Sequence, residues 1–301
     1  MRRRSTWVVL IALVAGPGLA ACTWLGQRRA DEEAARIHGG LSIHGDDLPE
    51  KTLVLTYDDG PDEHTLAIAR YLADVGVQAA FFVNGRRFCR QVGADGQCVA
   101  PAETRPCNDG TLQAVVPSPR FYPESLIGEL LALGHRVGNH TQDHCDLTDQ
   151  VVIADFAWEI EATQSILERY VSVGLRLFRA PFGRWDLDAA KRANQWPGFA
   201  RLTGPVSWDI DGADWDCWKK SMSPEVCAQH YFAKLEARPK RNGIVLLHDR
   251  PEFNVGYEGP LLLTKILVPA LRAQGYRFVT LETVPAIGAR LSPASVSAAA
   301  R

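Results

Sequence analysis

The chain has 301 residues, 46% hydrophobic and 23% charged, and a formal charge of −2 from 33 basic and 35 acidic side chains. That balance, with no basic run beyond the extreme N-terminus, excludes a nucleic-acid surface and predicts no nucleic-acid partner. The composition is that of an ordinary globular enzyme, and the length suits a single barrel-sized domain.

In chain order, Arg2, Arg3 and Arg4 form a basic segment, Trp7 to Val14 an apolar one, and Leu19-Ala20-Ala21-Cys22 follows. The apolar stretch is broken by Gly16-Pro17-Gly18 and is too short for a transmembrane span. Leu-Ala-Ala-Cys resembles the lipobox of bacterial lipoprotein signal peptides. The resemblance implies removal of residues 1–21, acylation of Cys22 and attachment to a membrane through that lipid. An ordinary secretory peptide is the alternative. In a Gram-negative cell, Thr23 after the cysteine implies outer-membrane sorting, facing the periplasm. Losing the three arginines takes 33 basic side chains to 30 against 35 acidic, a charge of −5. Residues 22–50 read as a polar linker.

From 51 to 290, strand-like and helical patterns alternate. Strands are expected at Thr52–Tyr57, Ala79–Val83, Arg136–Asn139, Leu175–Arg179, Val206–Ile210, Gly243–Leu247 and Tyr276–Leu281. Helices are expected at Thr65–Asp74, Ser125–Leu133, Val151–Tyr170, Asp188–Asn194, Pro224–Ala237 and Leu261–Gln274. About seven strands alternating with helices predict an α/β fold with a parallel, closed or nearly closed barrel. An open doubly wound sheet is the alternative, but no Gly-rich phosphate loop follows the first strand. One gap, 85–123, is long and carries three cysteines, which predicts a stapled functional loop. Residues 291–301 read as a frayed tail. Besides Cys22 there are six cysteines, an even count that predicts three disulfides in an exported chain.

The polar residues that look chemical stand just after the expected strands. The first strand ends in Thr56-Tyr57-Asp58-Asp59-Gly60-Pro61, two adjacent carboxylates on a sharp turn. Side chains alternate along a strand, so two neighbouring Asp rarely serve one structural purpose. One could hold a metal while the other acts as a base; taken alone, an Asx-type turn is equally good. His140 and His144 follow the third strand, Arg179 to Gly183 the fourth, Asp209 to Trp215 the fifth, and His248-Asp249 the sixth. In a parallel barrel all these positions open onto one face. Asp with two His suits a divalent metal, zinc first, with cobalt, nickel or iron(II) as alternatives. Arg179 is placed to pair with a rim carboxylate, and His248 to transfer a proton. Trp185, Trp196, Trp215 and Trp218 lie in or near rim loops and could stack on sugar faces.

Taken together, TYDDGP at Thr56–Pro61, HTQDH at His140–His144, RAPFG at Arg179–Gly183, DGADW at Asp211–Trp215 and LLHD at Leu246–Asp249 resemble the five ordered motifs of the NodB-homology polysaccharide deacetylases, carbohydrate esterase family 4. The resemblance runs from about Thr52 to Leu281 and implies that family's distorted (β/α) barrel. It makes Asp58 the catalytic base and Asp59, His140 and His144 the metal ligands. Arg179 would hold Asp58, and Asp214 would support His248 as general acid. Trp215 and Leu246 would wall an acetyl pocket, with a backbone N–H near Phe182 for the oxyanion. The implied substrate is an acetylated polysaccharide and the implied protein a monomer. An O-acetyl esterase, or a lipid-anchored glycan-binding or assembly protein with little turnover, is the competing reading. Phe182 departs from the family's frequent Tyr, a change a backbone donor would tolerate.

If Cys217 joins Cys227 locally, Cys89, Cys98, Cys107 and Cys145 remain. One bridge must then tie the long loop to Cys145, beside His144. Its partner stays open among Cys89, Cys98 and Cys107. Such a bridge would pin the insertion against the metal-binding loop and roof the mouth of the site.

Overall fold

A computed structural model describes residues 28–94, 97–105, 107, 121–149, 156–171, 176–251 and 257–291. The expected signal peptide, Cys22, the first residues of the linker and all but the first residue of the tail lie outside these. So do the expected element starts at Val151 and Leu175.

Helix α1 spans residues 28–36, and the chain then runs to β1 (Thr52–Gly60) and α2 (Thr65–Asp74). There follow β2 (Ala79–Val83), β3 (Phe88–Val92), β4 (Cys98–Pro101), β5 (Tyr122–Pro123), α3 (Ser125–Ala132), β6 (Arg136–Asn139) and α4 (Phe156–Leu167). The remainder is β7 (Leu177–Phe178), α5 (Leu187–Ala193), β8 (Ile210–Asp211), α6 (Asp214–Lys219), α7 (Pro224–Glu236), β9 (Gly243–His248), α8 (Gly259–Ala273) and β10 (Arg277–Phe278).

Seven of these strands form one parallel sheet in the order β7-β6-β2-β1-β9-β8, with β10 also pairing β1. Both faces are covered, as parallel sheets require. Along β1, Leu53, Leu55 and Tyr57 face the layer packed by Ile68, Ile127, Leu263 and Leu267 of the helices. The alternate position Val54 faces an inner cluster with Ala80, Phe82, Leu177, Val206 and Ile244. This parity makes Thr56, Asp58, Leu246 and His248 inward-facing, because each lies an even number of residues from an inner-cluster member.

Residues 203–211 close the gap between β7 and β9. Val206 N–H donates to Phe178 O at 2.8 Å, and Asp209 N–H to Ile244 O at 2.8 Å. The expected strand Val206–Ile210 shrinks to the two-residue β8 because its first half serves β7 and its second half β9. Asp209 is therefore not on the rim. Its Oδ2 accepts from Gly45 N at 2.8 Å and Ile244 N at 2.7 Å, near the start of β9. Residues 37–50, read as part of a linker, lie against this closure: Ile43 bridges Val206, and Leu48 is 1% exposed.

The 85–123 insertion is more ordered than the long loop expected of it. Its described residues form a second sheet, β4-β3-β5, with Cys89 bonded to Cys98 across it. Cys107 is bonded to Cys145 and Cys217 to Cys227. The open choice for Cys145 resolves to Cys107, and the insertion is thereby fastened beside His144. Whether the insertion roofs the mouth depends on residues 108–120, outside the described set.

Candidate active site

The turn after β1 solves the parity problem of adjacent carboxylates. Asp58 pairs with Phe82 and Gly60 with Val83, so Asp59 is an extra residue in the ladder, with φ 75°. A bulge of this kind re-aims one side chain. It lets Asp59 share a site with Asp58 instead of pointing away. Gly60 is required here, because a Cβ would stand 2.3 Å from Asp249 Oδ2.

Asp58 is buried, and Arg179 Nη1 donates to its Oδ1 at 2.7 Å. The same guanidinium donates to Thr56 Oγ1 at 2.8 Å, Val206 O at 2.9 Å and Ser207 O at 3.1 Å, and lies over the Phe82 ring. Arg179 thus reaches the rim through the barrel interior, 1% exposed.

Asp59 Oδ1, His140 Nε2 and His144 Nε2 converge within 4.8 Å of one another. Asp59 Oδ1 lies 3.4 Å from His140 Nε2 and 3.2 Å from His144 Nε2, and it is a buried oxygen without a hydrogen-bond partner. His140 Nδ1 lies 3.0 Å from Arg179 O, where only a donor fits, which leaves Nε2 as a lone pair. Three acceptors pointed at one spot fit a divalent cation and nothing else in the described chain satisfies them. Electrostatics agree. Burial, with the charges of His140, Arg86 and His248, overrides Asp59 and lowers His144 to about 3. Burial would raise Asp59, but His144 and His140 bring its pKa well below the usual carboxylate range. Burial would lower His140, but Asp58 and Asp59 bring it up instead.

Across from this triad, His248 Nδ1 lies 2.7 Å from Asp214 Oδ1, and His248 N–H donates to Asp214 Oδ2 at 2.8 Å. Burial would lower the imidazole's pKa; the fully buried Asp214 outweighs it and holds His248 at about 10. Asp214 opens α6 directly after Ala213, whose φ of 53° swings the chain over the end of β9.

Phe182 (φ 58°, 48% exposed) packs edge-on to His144 with centroids 4.5 Å apart, and Trp215 is 42% exposed. Leu246 is buried one turn of the pleat below His248. Of the other tryptophans, Trp218 is core, 0% exposed against Tyr257. Trp185 and Trp196 pack with Phe178 and Phe199. None of these three is a sugar platform. Asp249 does not face His248 either: Thr65 Oγ1 donates to its Oδ2.

Sequence reasoning missed the supports of the metal-binding loop. Glu159 accepts from Asp143 N at 2.9 Å, and its carbonyl from Gln142 N at 2.7 Å. From the insertion, Gln142 Nε2 donates to Glu103 O at 2.7 Å, and Asp143 accepts from Arg105 N at 2.8 Å. These bonds hold Thr141 (φ 69°) and His144 (φ 61°) in left-handed conformations that cost energy outside such a frame. An acidic residue on the buried face of α4 is the one signal the sequence offered.

The polysaccharide deacetylase family profile matches residues 45–198, just over half the chain. A chitooligosaccharide deacetylase of Azorhizobium caulinodans is 26% identical over 237 residues, covering 75% of this chain and 91% of that one. A peptidoglycan-N-acetylglucosamine deacetylase of Bacillus cereus is 28% identical over 235 residues, covering 77% and 86%. The chitin deacetylase of Colletotrichum lindemuthianum superposes with a TM-score of 0.57 at 25% identity, over 80% of this chain and 88% of that one. A Bacillus anthracis pseudoenzyme of the same esterase family shares the fold as well, at a TM-score of 0.51 and 20% identity over 78% and 65%. Fold alone thus does not decide catalysis, but profile, relatives and rim geometry agree on descent. The chain belongs to the polysaccharide deacetylase family.

Proposed function

We propose that the protein is a divalent-metal-dependent hydrolase that removes N-acetyl groups from N-acetylglucosamine-type residues of an envelope or extracellular polysaccharide. One observation carries the reading: an orphaned Asp59–His140–His144 acceptor set faces the His248–Asp214 pair across Asp58. A protein that only binds glycans needs none of these three devices.

Asp59, His140 and His144 would hold the cation. When bound, it supplies Lewis acidity for a water and for the amide carbonyl. Asp58 keeps Oδ2 as its acceptor, because Oδ1 is taken by Arg179. Oδ2 removes the proton as the water oxygen attacks the carbonyl carbon. The N–H of the left-handed Phe182 turn is the backbone donor assigned to the oxyanion. His248 Nδ1 is engaged by Asp214, so Nε2 delivers a proton to the departing nitrogen. The C–N bond breaks, giving acetate and a free amino sugar. Trp215 and Leu246 are assigned to the pocket that receives the acetyl group.

Zinc is the first expectation for the cation, with cobalt, nickel and iron(II) compatible with the same donors. The lipid anchor at Cys22 and an envelope location rest on Leu19–Cys22 and the preceding basic and apolar segments. No helix among the described residues is long and apolar enough to cross a membrane. Cys22→Ala should abolish incorporation of labelled fatty acid; labelling that persists would remove the anchor assignment.

Acetate release from N-acetylated and O-acetylated oligosaccharides, with and without chelator, tests the function. Chelator-sensitive release from the N-acetylated series is expected. Release from the O-acetylated series alone would make the protein an esterase. Release from neither, with metal bound, would leave only the binding role.

A further inference from the structure

Two arginines on the rim take no part in the chemistry above. Arg86 follows β2 and Arg250 follows β9, the two strands that flank β1. They therefore leave the rim on either side of the Asp58–Asp59 turn. Their neighbours have carboxylates: Arg87 pairs with Asp62 at 2.7 Å, Arg179 with Asp58 at 2.7 Å, and Arg184 with Asp146 at 2.6 Å. Among the described residues, no hydrogen bond or ion pair engages the guanidinium of Arg86 or Arg250. Both residues are half-buried.

Arg86 is held in place by its backbone, which donates to Gln142 O in the metal-binding loop at 3.0 Å. Burial and then the charge of Arg250 lower its pKa, so the two guanidiniums feel each other, and its field reaches Asp59 and His144. A counterion role toward the buried Asp143 and Glu159 would be the plain explanation. Those carboxyls are instead pushed up by burial, to about 6 and about 7, as groups lacking an adequate counterion are. That explanation also leaves Arg250 unaccounted for. Two like charges, half-buried and without partners, are unfavourable unless an anion joins them.

We propose that Arg86 and Arg250 form an anion-recognition subsite beside the metal-ligand triad, taking a carboxylate or other oxyanion that the glycan carries next to the N-acetyl group being removed. The inference rests on the deacetylase reading and adds the substrate class: an acidic acetylated polymer, favoured over a neutral one. Guanidinium forks suit such oxyanions, because they bind two oxygens at once.

Three oligosaccharides of matched length test this on the metal-loaded protein. One is neutral N-acetylglucosamine, one alternates N-acetylglucosamine with glucuronate, and one is neutral with added phosphate groups. At low salt, kcat/KM should be about tenfold higher on an acidic probe, and the advantage should shrink as ionic strength rises. Arg86→Gln and Arg250→Gln should each lower the acidic-to-neutral ratio about tenfold, chiefly through KM, and the Lys variants should restore part of it. The better of the two acidic probes names the source of the anion. Equal use of all three by the wild type, or a ratio unmoved in both Gln variants, would overturn the subsite. Should a variant fail to fold, the salt dependence of the wild type still decides. If no probe releases acetate, the deacetylase reading fails by itself. Equilibrium binding of the same probes then judges the subsite: salt-sensitive preference for an acidic probe supports it, and equal binding overturns it.

Discussion

On the side of the rim built by β1 and β6, burial and neighbouring positive charge take His144 down to about 3. On the side built by β8 and β9, Asp214 takes His248, equally withdrawn from water, up to about 10. Both imidazoles have a carboxylate nearby, so proximity to an acid does not by itself set a histidine's role. Asp214 is fully buried and grips both the ring and the backbone of His248 at 2.7 and 2.8 Å. Asp59 is shared between two histidines at 3.2 and 3.4 Å and engages neither fully. The first arrangement stores a proton, and the second leaves lone pairs for a cation.

The sharpest way to break this contrast is Asp59→Ala. It should lose bound metal and activity together, by about 10⁴-fold, read as metal content after dialysis and as acetate release. Asp58→Asn sits between the two sides; it should keep its metal and lose about 10³-fold in kcat. Near-native turnover in that variant would assign the base elsewhere. On the proton-storing side, Asp214→Asn removes what opposes burial, so the pKa of His248 should fall below its ordinary value. Activity needs the cationic ring, so it should be lost as pH rises through that lower pKa and partly recover toward acid, with about 10²-fold loss at neutral pH. In the metal-free protein, NMR titration should find His248 protonated up to about pH 10 and His144 neutral down to about pH 3. Convergence of the two titrations would undo the comparison.

Smaller effects probe the supports. Replacing both Cys107 and Cys145 with Ser opens a closure spanning 38 positions. It should cost about 3 kcal/mol in stability, seen in denaturant unfolding, and weaken metal retention more than it lowers kcat. Phe182→Tyr should change kcat/KM by no more than about threefold, since the donor assigned there is backbone. A larger change would place a side-chain hydroxyl in the chemistry.

Much of the barrel was legible because β1, β2, β6 and β9 are apolar runs buried on both faces, ending in polar turns. The rim residues Asp58, Asp59, His140, His144, Arg179, Asp214 and His248 follow from strand ends alone. What stayed hidden is set by contacts distant in sequence. β8 is cut to two residues because its segment pairs with different neighbours at its two ends. The β4-β3-β5 sheet has no apolar run long enough to announce it. Trp218 lies one turn of α6 from the exposed Trp215, and the composition of a six-residue helix does not say which of the two faces the core. The bulge at Asp59 was equally silent, although the shared site of the two carboxylates depends on it.

Arg179 ends as a component with two separable jobs. Its side chain sets the base, and its main-chain carbonyl, 3.0 Å from His140 Nδ1, sets the protonation form of a metal ligand. Substitution reaches only the first job. Evolution or an engineer could therefore silence the proton acceptor at this position while the ligand next door stays tuned, leaving a chain that still loads its cation but no longer turns over.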